Sequence, residues 1–414
     1  MLNSRSHTNR VLAVIGTGLI LSLFGDHTLY TVLPNPDIAA QADVTLAMVG
    51  VLLGINRLVR LLFNNVAGAL YDRLPRRGLM IGGMVVAVVS TVCYAAGYGP
   101  AWMITGRVLW GIAWSAIWIG SNNIALDISG ENDRGWVNGR LQMWFLIGVA
   151  VSGFSGGLFT DLFGYRGGLW FSAGLTALAV VVWLLFLPET RKSLQPAAKP
   201  VPHSTLPGFI TIFRQALAPS LVFLSLRLVV AGVLSATTIL WMMQFVPDRV
   251  SLGCLVIPLA TLTGIFVALR VIISVISAPL TGRLIDVLKR RWAVMMVLFL
   301  LGSLGLWLMT SRQFGIAISG GLLMSISAGG VQAVIPTIIG DRAEEAQRGR
   351  SLGVVYTLGD LGSAIGPPLG LGLLPLIGIQ NVYLLCAAVF ALTAGVTGWQ
   401  SARYARQRGR VGAA

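Results

Sequence analysis

The chain has 414 residues, of which 55% are hydrophobic and only 11% charged, with a mean hydropathy of +0.79. Soluble domains carry about a quarter charged residues, so a soluble enzyme or soluble binding module is excluded. A net charge of +15 would suggest a nucleic-acid partner in a soluble protein, but the placement of the basic residues, described below, excludes that as well.

Apolar runs long enough to cross a bilayer, about 20 residues each, recur along the whole length. In chain order they cover 11–33, 46–69, 78–98, 101–124, 139–160, 167–187, 218–245, 254–280, 292–310, 314–338, 351–374 and 379–399, numbered here as spans 1 to 12. The expectation is an all-α membrane protein with 12 transmembrane helices. A tail with Arg5 and Arg10 precedes span 1. That run is too long for a signal peptide and lacks a small-residue cleavage site, so it is expected to be retained.

Several spans carry polar stripes. Span 1 aligns Gly18, Ser22, Asp26 and Tyr30, with His27 beside Asp26 and Pro34 and Pro36 following. At 100° per residue, Arg57, Arg60, Asn64 and Gly68 share one stripe of span 2. In span 4, Arg107, Trp110, Trp114, Trp118 and Asn122 lie within about 60° of one direction. The indoles either line a cavity or anchor the chain at the membrane interface, and three successive turns do not fit one interface. Arg227 of span 7 faces the interior or snorkels to the cytoplasmic surface. Span 8 aligns Thr263, Arg270, Ser274 and Ser277, and span 11 holds Asp360.

An ionised group in mid-membrane costs about 2.5–3.5 kcal/mol, so each is a site candidate. Five arginines within spans against Asp26 and Asp360 leave positive charge unmatched. Transporters set opposite charge against their substrate. The pattern therefore points to an acidic or zwitterionic small molecule, held by Arg57, Arg60, Asn64, Arg270 and Tyr30, with Trp110, Trp114 and Trp118 on its apolar part. The alternatives are that Arg57 and Arg60 pair with Asp26 or Asp360 as structural glue, and that His27 is a bystander.

The loops repeat at a fixed offset of 214 residues. Gly68 to Arg77 reads G-A-L-Y-D-R-L-P-R-R, and Gly282 to Arg291 reads G-R-L-I-D-V-L-K-R-R. The same offset pairs Asp127 with Asp341, Glu131 with Glu345, Arg134 with Arg348, Gly148 with Gly362 and Gly156 with Gly370. Such a period implies a duplicated bundle of membrane helices. Residues 1–190 form the first six-helix bundle, 191–217 a proline-rich cytoplasmic linker, and 218–414 the second bundle with a basic tail. Within the linker, Gly208 to Leu217 has the pattern of an amphipathic surface helix.

Of 30 Lys and Arg, 22 fall in alternate loops and the two tails, whereas the opposite loops hold only Arg166, Arg249 and Arg312. This asymmetry places both termini in the cytoplasm. Cys93, Cys254 and Cys386 are too scattered for a disulfide framework or a metal site. No nucleophile–base pair, metal-ligand spacing or phosphate-binding loop stands out, so no enzyme activity, metal or cofactor is expected.

The loop between spans 2 and 3 resembles the signature G-x-x-x-D-R-x-G-R-R of the major facilitator superfamily. Gly68, Asp72, Arg73, Arg76 and Arg77 match, and Pro75 replaces the second glycine. The relaxed copy, with Gly282, Asp286, Arg290 and Arg291, lies between spans 8 and 9, where the family keeps one. The resemblance implies two pseudo-symmetric bundles, with substrate bound near mid-membrane between them and exposed to each side in turn. It also implies that these residues, with Asp127, Glu131 and Arg134, gate the cytoplasmic side. Arg107 and Gly111 are similar to the family's proton-coupling segment R-x-x-x-G, and Pro188-Glu189-Thr190 is a family habit. The antiporter signature is incomplete in span 5, where Gly148, Gly156 and Gly157 fit but Ser152 and Gly153 stand where Gly and Pro belong. Span 11 carries a better copy in Gly362, Gly366, Pro367 and Gly370.

Asp26 followed by Pro34 and Pro36 resembles the multidrug proton antiporters. By that resemblance Asp26 carries the proton, with Asp360 as second candidate, and movement of Arg107 or Arg57 switches Asp26 between holding and releasing it. The expected protein is thus a proton-coupled exporter of a small amphipathic compound in a bacterial inner membrane, complete as a monomer. Proton-coupled uptake of an anionic nutrient, lipid-headgroup flipping and a non-transporting sensor are the alternatives.

Overall fold

The computed structural model describes residues 2–129, 133–190, 206–246, 249–252, 255–342 and 348–411. Glu131, the side chain of Arg134 and linker residues 191–205 lie outside the described set. In chain order the elements are α1 (Leu2–Val32), α2 (Pro36–Gln41), α3 (Leu46–Arg73), α4 (Arg76–Ala96), α5 (Gly99–Asp127) and α6 (Arg134–Phe186). Then follow α7 (Leu206–Arg227), a π-helical segment (Leu228–Leu234), α8 (Ser235–Met243), β1 (Arg249–Leu252), β2 (Leu255–Pro258), α9 (Leu259–Leu288), α10 (Arg291–Leu308), α11 (Phe314–Arg342) and α12 (Arg348–Val411).

Local chemistry sets several boundaries. Asn35 accepts a hydrogen bond from the Asp37 N–H at 2.9 Å and Pro36 follows, which starts α2. Thr45 accepts from the Met48 N–H at 3.3 Å and starts α3.

Ten helices among the described residues are long and apolar enough to cross a membrane. Two of these, Trp136–Phe186 and Ser351–Tyr404, have 51 and 54 residues, about twice what one crossing requires. Each breaks at a glycine: Gly164 at φ 72°, ψ 167°, and Gly378 at φ 76°, ψ 159°. Only glycine adopts that backbone region without strain. The two glycines lie 214 residues apart, so the repeat read from the loops recurs in the backbone. Counting each long helix as two crossings gives twelve, in line with the sequence.

Two expectations are corrected. Span 8 is expected to start at residue 254, which lies outside the described residues, but Arg249–Leu252 and Leu255–Pro258 pair as antiparallel strands, Arg249 with Pro258 and Leu252 with Leu255, and the helix begins at Leu259. A short apolar run rich in β-branched residues has the same hydropathy in a strand as in a helix. Residues 208–217 do not form a separate surface helix. They are the first part of α7, which runs on through Pro219.

By compactness the chain divides into Met1–His203 with Thr238–Ala268, and Ser204–Thr237 with Leu269–Ala414. In the first unit, Leu12, Ile15, Leu19 and Leu23 of α1 gather with Met84 of α4, Ile117 of α5 and Leu141 and Trp183 of α6. The Trp183 indole N–H donates to the Val14 carbonyl at 3.0 Å. In the second unit, α12 lies so close to the π-helical segment that a Cβ on Gly366 would fall 2.4 Å from the Gly232 Cα. The rings of Phe299 and Phe390 meet edge-on at 5.0 Å between α10 and α12. Leucines 62, 185, 376 and 392 point outward and exposed, as suits a surface bathed in lipid.

Candidate functional site

The first unit buries an ion pair. Arg107 Nη1 of α5 bonds to Asp26 Oδ1 of α1, and their side chains are 1% and 7% exposed. The guanidinium also donates from Nε to the Leu52 carbonyl of α3 at 2.9 Å. It lies 5.0 Å from the Tyr30 ring centre and 5.8 Å from that of Tyr94, an arrangement that stabilises a cation where water is absent. The Tyr30 hydroxyl donates to the Leu53 carbonyl at 2.7 Å and lies 3.4 Å from Asn56 Oδ1. The His27 ring is tilted against Tyr30 at 6.1 Å.

Small residues allow this convergence. A Cβ on Gly111 would fall 2.8 Å from Val59 Cβ and 2.9 Å from the Asn56 carbonyl, so only glycine lets α5 lie this close to α3. The Arg107–Gly111 spacing thus has a packing reason beside any chemical one: the glycine brings the arginine, one turn earlier, to Leu52. Gly106 meets Tyr94 in the same way, and Ser90 donates to its carbonyl at 2.7 Å.

Other predicted residues fall into separate places. Trp110 and Trp114 are 2% and 6% exposed and sit in the core of the first unit, so their main contacts are with the protein interior. Trp118, half-buried, stacks on Trp114 at 5.8 Å and meets Phe145 at 5.0 Å. Arg57, Arg60 and Asn64 are all half-buried along α3. In the second unit, Asp360 of α12 pairs with Arg227 of α7 at 3.4 Å, so Arg227 is directed at a neighbouring helix. Arg227 also lies 5.9 Å from the Phe223 ring, which meets Tyr356 edge-on at 5.5 Å. Buried Arg270 donates to Ser325 Oγ at 3.3 Å, and Ser274 donates to the Ser325 carbonyl at 2.9 Å. Asp26 and Asp360 therefore bond to Arg107 and Arg227, the two arginines that the glue reading had not assigned to them.

A family model described as Major Facilitator Superfamily matches residues 15–269 and 257–410. The chain belongs to the Major Facilitator Superfamily. This superfamily member is a multi-pass membrane protein and a secondary transporter of small molecules, not an enzyme. It is 25% identical to the inner membrane transport protein YajR of Escherichia coli, over 91% of this chain and 80% of that one. It is 24% identical to the multidrug resistance protein MdtG of Proteus mirabilis, over 81% of this chain and 82% of that one. The human organic anion transporter MFSD10 (TETRAN) shares the fold with a TM-score of 0.65, at 18% identity, over 94% of this chain and 99% of that one.

The superfamily signature loop forms a charge cluster whose members differ partly from those read in the sequence. Glu189 accepts from the backbone N–H of Arg76 at 3.1 Å and of Arg77 at 3.0 Å, capping the start of α4 where a carboxylate is favoured. Asp127 binds Arg76 Nε at 3.3 Å and accepts from Thr190 Oγ1 at 2.8 Å. Arg76 also donates from Nη1 to the Tyr71 carbonyl, and Arg77 from Nη2 to the Leu184 carbonyl at 2.5 Å. Glu189 and Thr190 were missed as site residues, although the P-E-T run was the signal for them. Asp72 and Arg73 are exposed, and Gly68 has open space around it. In the second copy, Arg291 donates to the Thr337 carbonyl, while Asp286 and Arg290 are exposed and Gly282 is open.

Proposed function

We propose that the chain is a proton-coupled exporter of small amphipathic organic compounds, anionic or zwitterionic, working by alternating access. In this reading it sits in a bacterial cytoplasmic membrane with both termini inside, and each six-span repeat acts as one bundle. The observation that carries it is the Asp26–Arg107 pair. A carboxylate and a guanidinium this deeply buried are costly, and a proton on Asp26 would remove the attraction that holds them. Asp26 is the proton carrier, with Asp360, paired to Arg227, second. Arg57, Arg60 and Arg270 attract the substrate's acidic group, and Trp118 with Phe145 offers an apolar face. Relatives named for multidrug resistance support export.

The same pair favours a second reading, proton-coupled uptake of an anionic nutrient. An anion that binds Arg107 competes with Asp26 for one guanidinium, so linkage makes anion and proton arrive together. The sign of proton movement separates the two. Purified protein in weakly buffered solution, given candidate organic anions, would release protons as an exporter and take them up as an importer. Either signal should vanish in Asp26→Asn. Substrate counterflow in proteoliposomes with no proton signal from the parent protein would refute both.

A further inference from the structure

Three features lie outside the roles given above: a lipid-facing groove between α10 and α12, the basic end of α12, and the junction of α6 with α9. The junction is the most fully built. Thr261 is the third residue of α9, so its N–H has no acceptor within the helix. Asp161 of α6 supplies one: its Oδ2 accepts from the Thr261 N–H at 2.7 Å and from Thr261 Oγ1 at 2.6 Å. The carboxylate thereby also meets the positive end of the helix dipole.

Below this point the two helices touch through backbone. A Cβ on Gly157 would fall 2.0 Å from the Ala260 carbonyl, and one on Gly264 would fall 2.8 Å from the carbonyls of Gly153 and Phe154. Asp161 and Gly157 lie one turn apart on α6, so the hydrogen bonds and the seam share one face. α6 and the first ten residues of α9 (259–268) belong to the first compact unit, although the sequence repeat assigns them to different halves. Asp161 itself is exposed, whereas Thr263, beside the seam residue Gly264 on α9, is fully buried.

We propose that Asp161 is a gating residue: a latch that holds the α6–α9 seam shut at the outer face and releases once in each transport cycle. The inference rests on the alternating-access reading above. With both termini cytoplasmic, the break at Gly164 and the hairpin before α9 lie outside, and Asp161 and Thr261 lie beside them. A carboxylate that only tethered a loop would leave the seam's accessibility unchanged when removed. A latch would not.

The test is a thiol-accessibility measurement in cells. In a background without Cys93, Cys254 and Cys386, Thr263→Cys is exposed to a membrane-impermeant maleimide from outside. Asp161→Asn should raise its labelling rate roughly 10-fold, the factor that one charge-assisted hydrogen bond is worth. Thr261→Val, which keeps the N–H bond, should give a smaller rise, and Asp161→Glu should label close to the parent. Labelling of Asp161→Asn within twofold of the parent overturns the latch. So does an equal rise in Asp161→Glu with a fall in unfolding temperature, which marks general loosening. Labelling needs neither substrate nor a proton gradient, so a failed proton assay beside a positive labelling result would remove the coupling and leave the latch.

Discussion

Neutralising Asp26 should destabilise the protein by a predictable amount. Asp26→Asn leaves Arg107 charged and 1% exposed, with the Leu52 carbonyl still bound and an amide oxygen in place of a carboxylate. Removing one partner of a buried pair costs about 3–5 kcal/mol. The amide can still accept a hydrogen bond, so the lower end, about 3 kcal/mol, is expected. For a chain of this size that corresponds to a fall of roughly 3–4 °C in unfolding temperature. Removing both charges in Asp26→Asn with Arg107→Gln relieves the stranded guanidinium. The double variant should therefore be at least about 2 kcal/mol more stable than additivity predicts. The assay is unfolding in lipid nanodiscs, followed by a thiol-reactive dye that reaches the buried Cys93 and Cys386 only as the chain opens. A loss under about 1 kcal/mol in the single variant, with an additive cycle, would refute the reasoning. The asparagine also mimics the protonated aspartic acid.

Three further outcomes follow from packing and capping. Gly366→Ala places a methyl 2.4 Å from Gly232 Cα and should cost about 1–3 kcal/mol by overpacking, whereas Gly372→Ala, with open space around it, should be neutral in the same melting assay. Glu189→Gln keeps the shape of the cap on α4 but removes its charge, and should lower stability by about 0.5–2 kcal/mol, less at high salt if the dipole term dominates. Gly164→Ala and Gly378→Ala each force alanine into a glycine-only conformation, at about 1–3 kcal/mol. Indifference of either to the substitution would mean that the helix break relaxes.

Much of the architecture was legible because a bilayer makes helix length and hydropathy almost sufficient. The runs at 167–187 and 379–399, and the breaks before them, follow from the need to cross 30 Å and turn. The strands Arg249–Leu252 and Leu255–Pro258 were not legible, since a short apolar run reads the same in either conformation. At the site, Asp26, Arg107 and Tyr30 were singled out one by one as charged or polar groups in apolar runs. That Arg107 meets Asp26 depends on three helices crossing at Gly106 and Gly111, and helical phase within one span carries no information about its neighbours. The same holds for Arg227, whose direction is decided by Asp360 in another helix. Glu189 lay in a run noted only as a family habit, and its task as a helix cap depends on a fold-back of more than 100 residues.

The π-helical segment at Leu228–Leu234 makes this part of the molecule unusually open to change in chain length. A π turn closes hydrogen bonds to the fifth residue rather than the fourth, so it holds one residue more than the α turns on either side. Removing a single residue there would let the segment wind as ordinary α-helix while Arg227 below and Thr237 above keep their faces. Elsewhere in a transmembrane helix one lost residue rotates everything beyond it by about 100°. Length variation among related sequences, and deletions tolerated in the laboratory, should therefore collect within these seven positions.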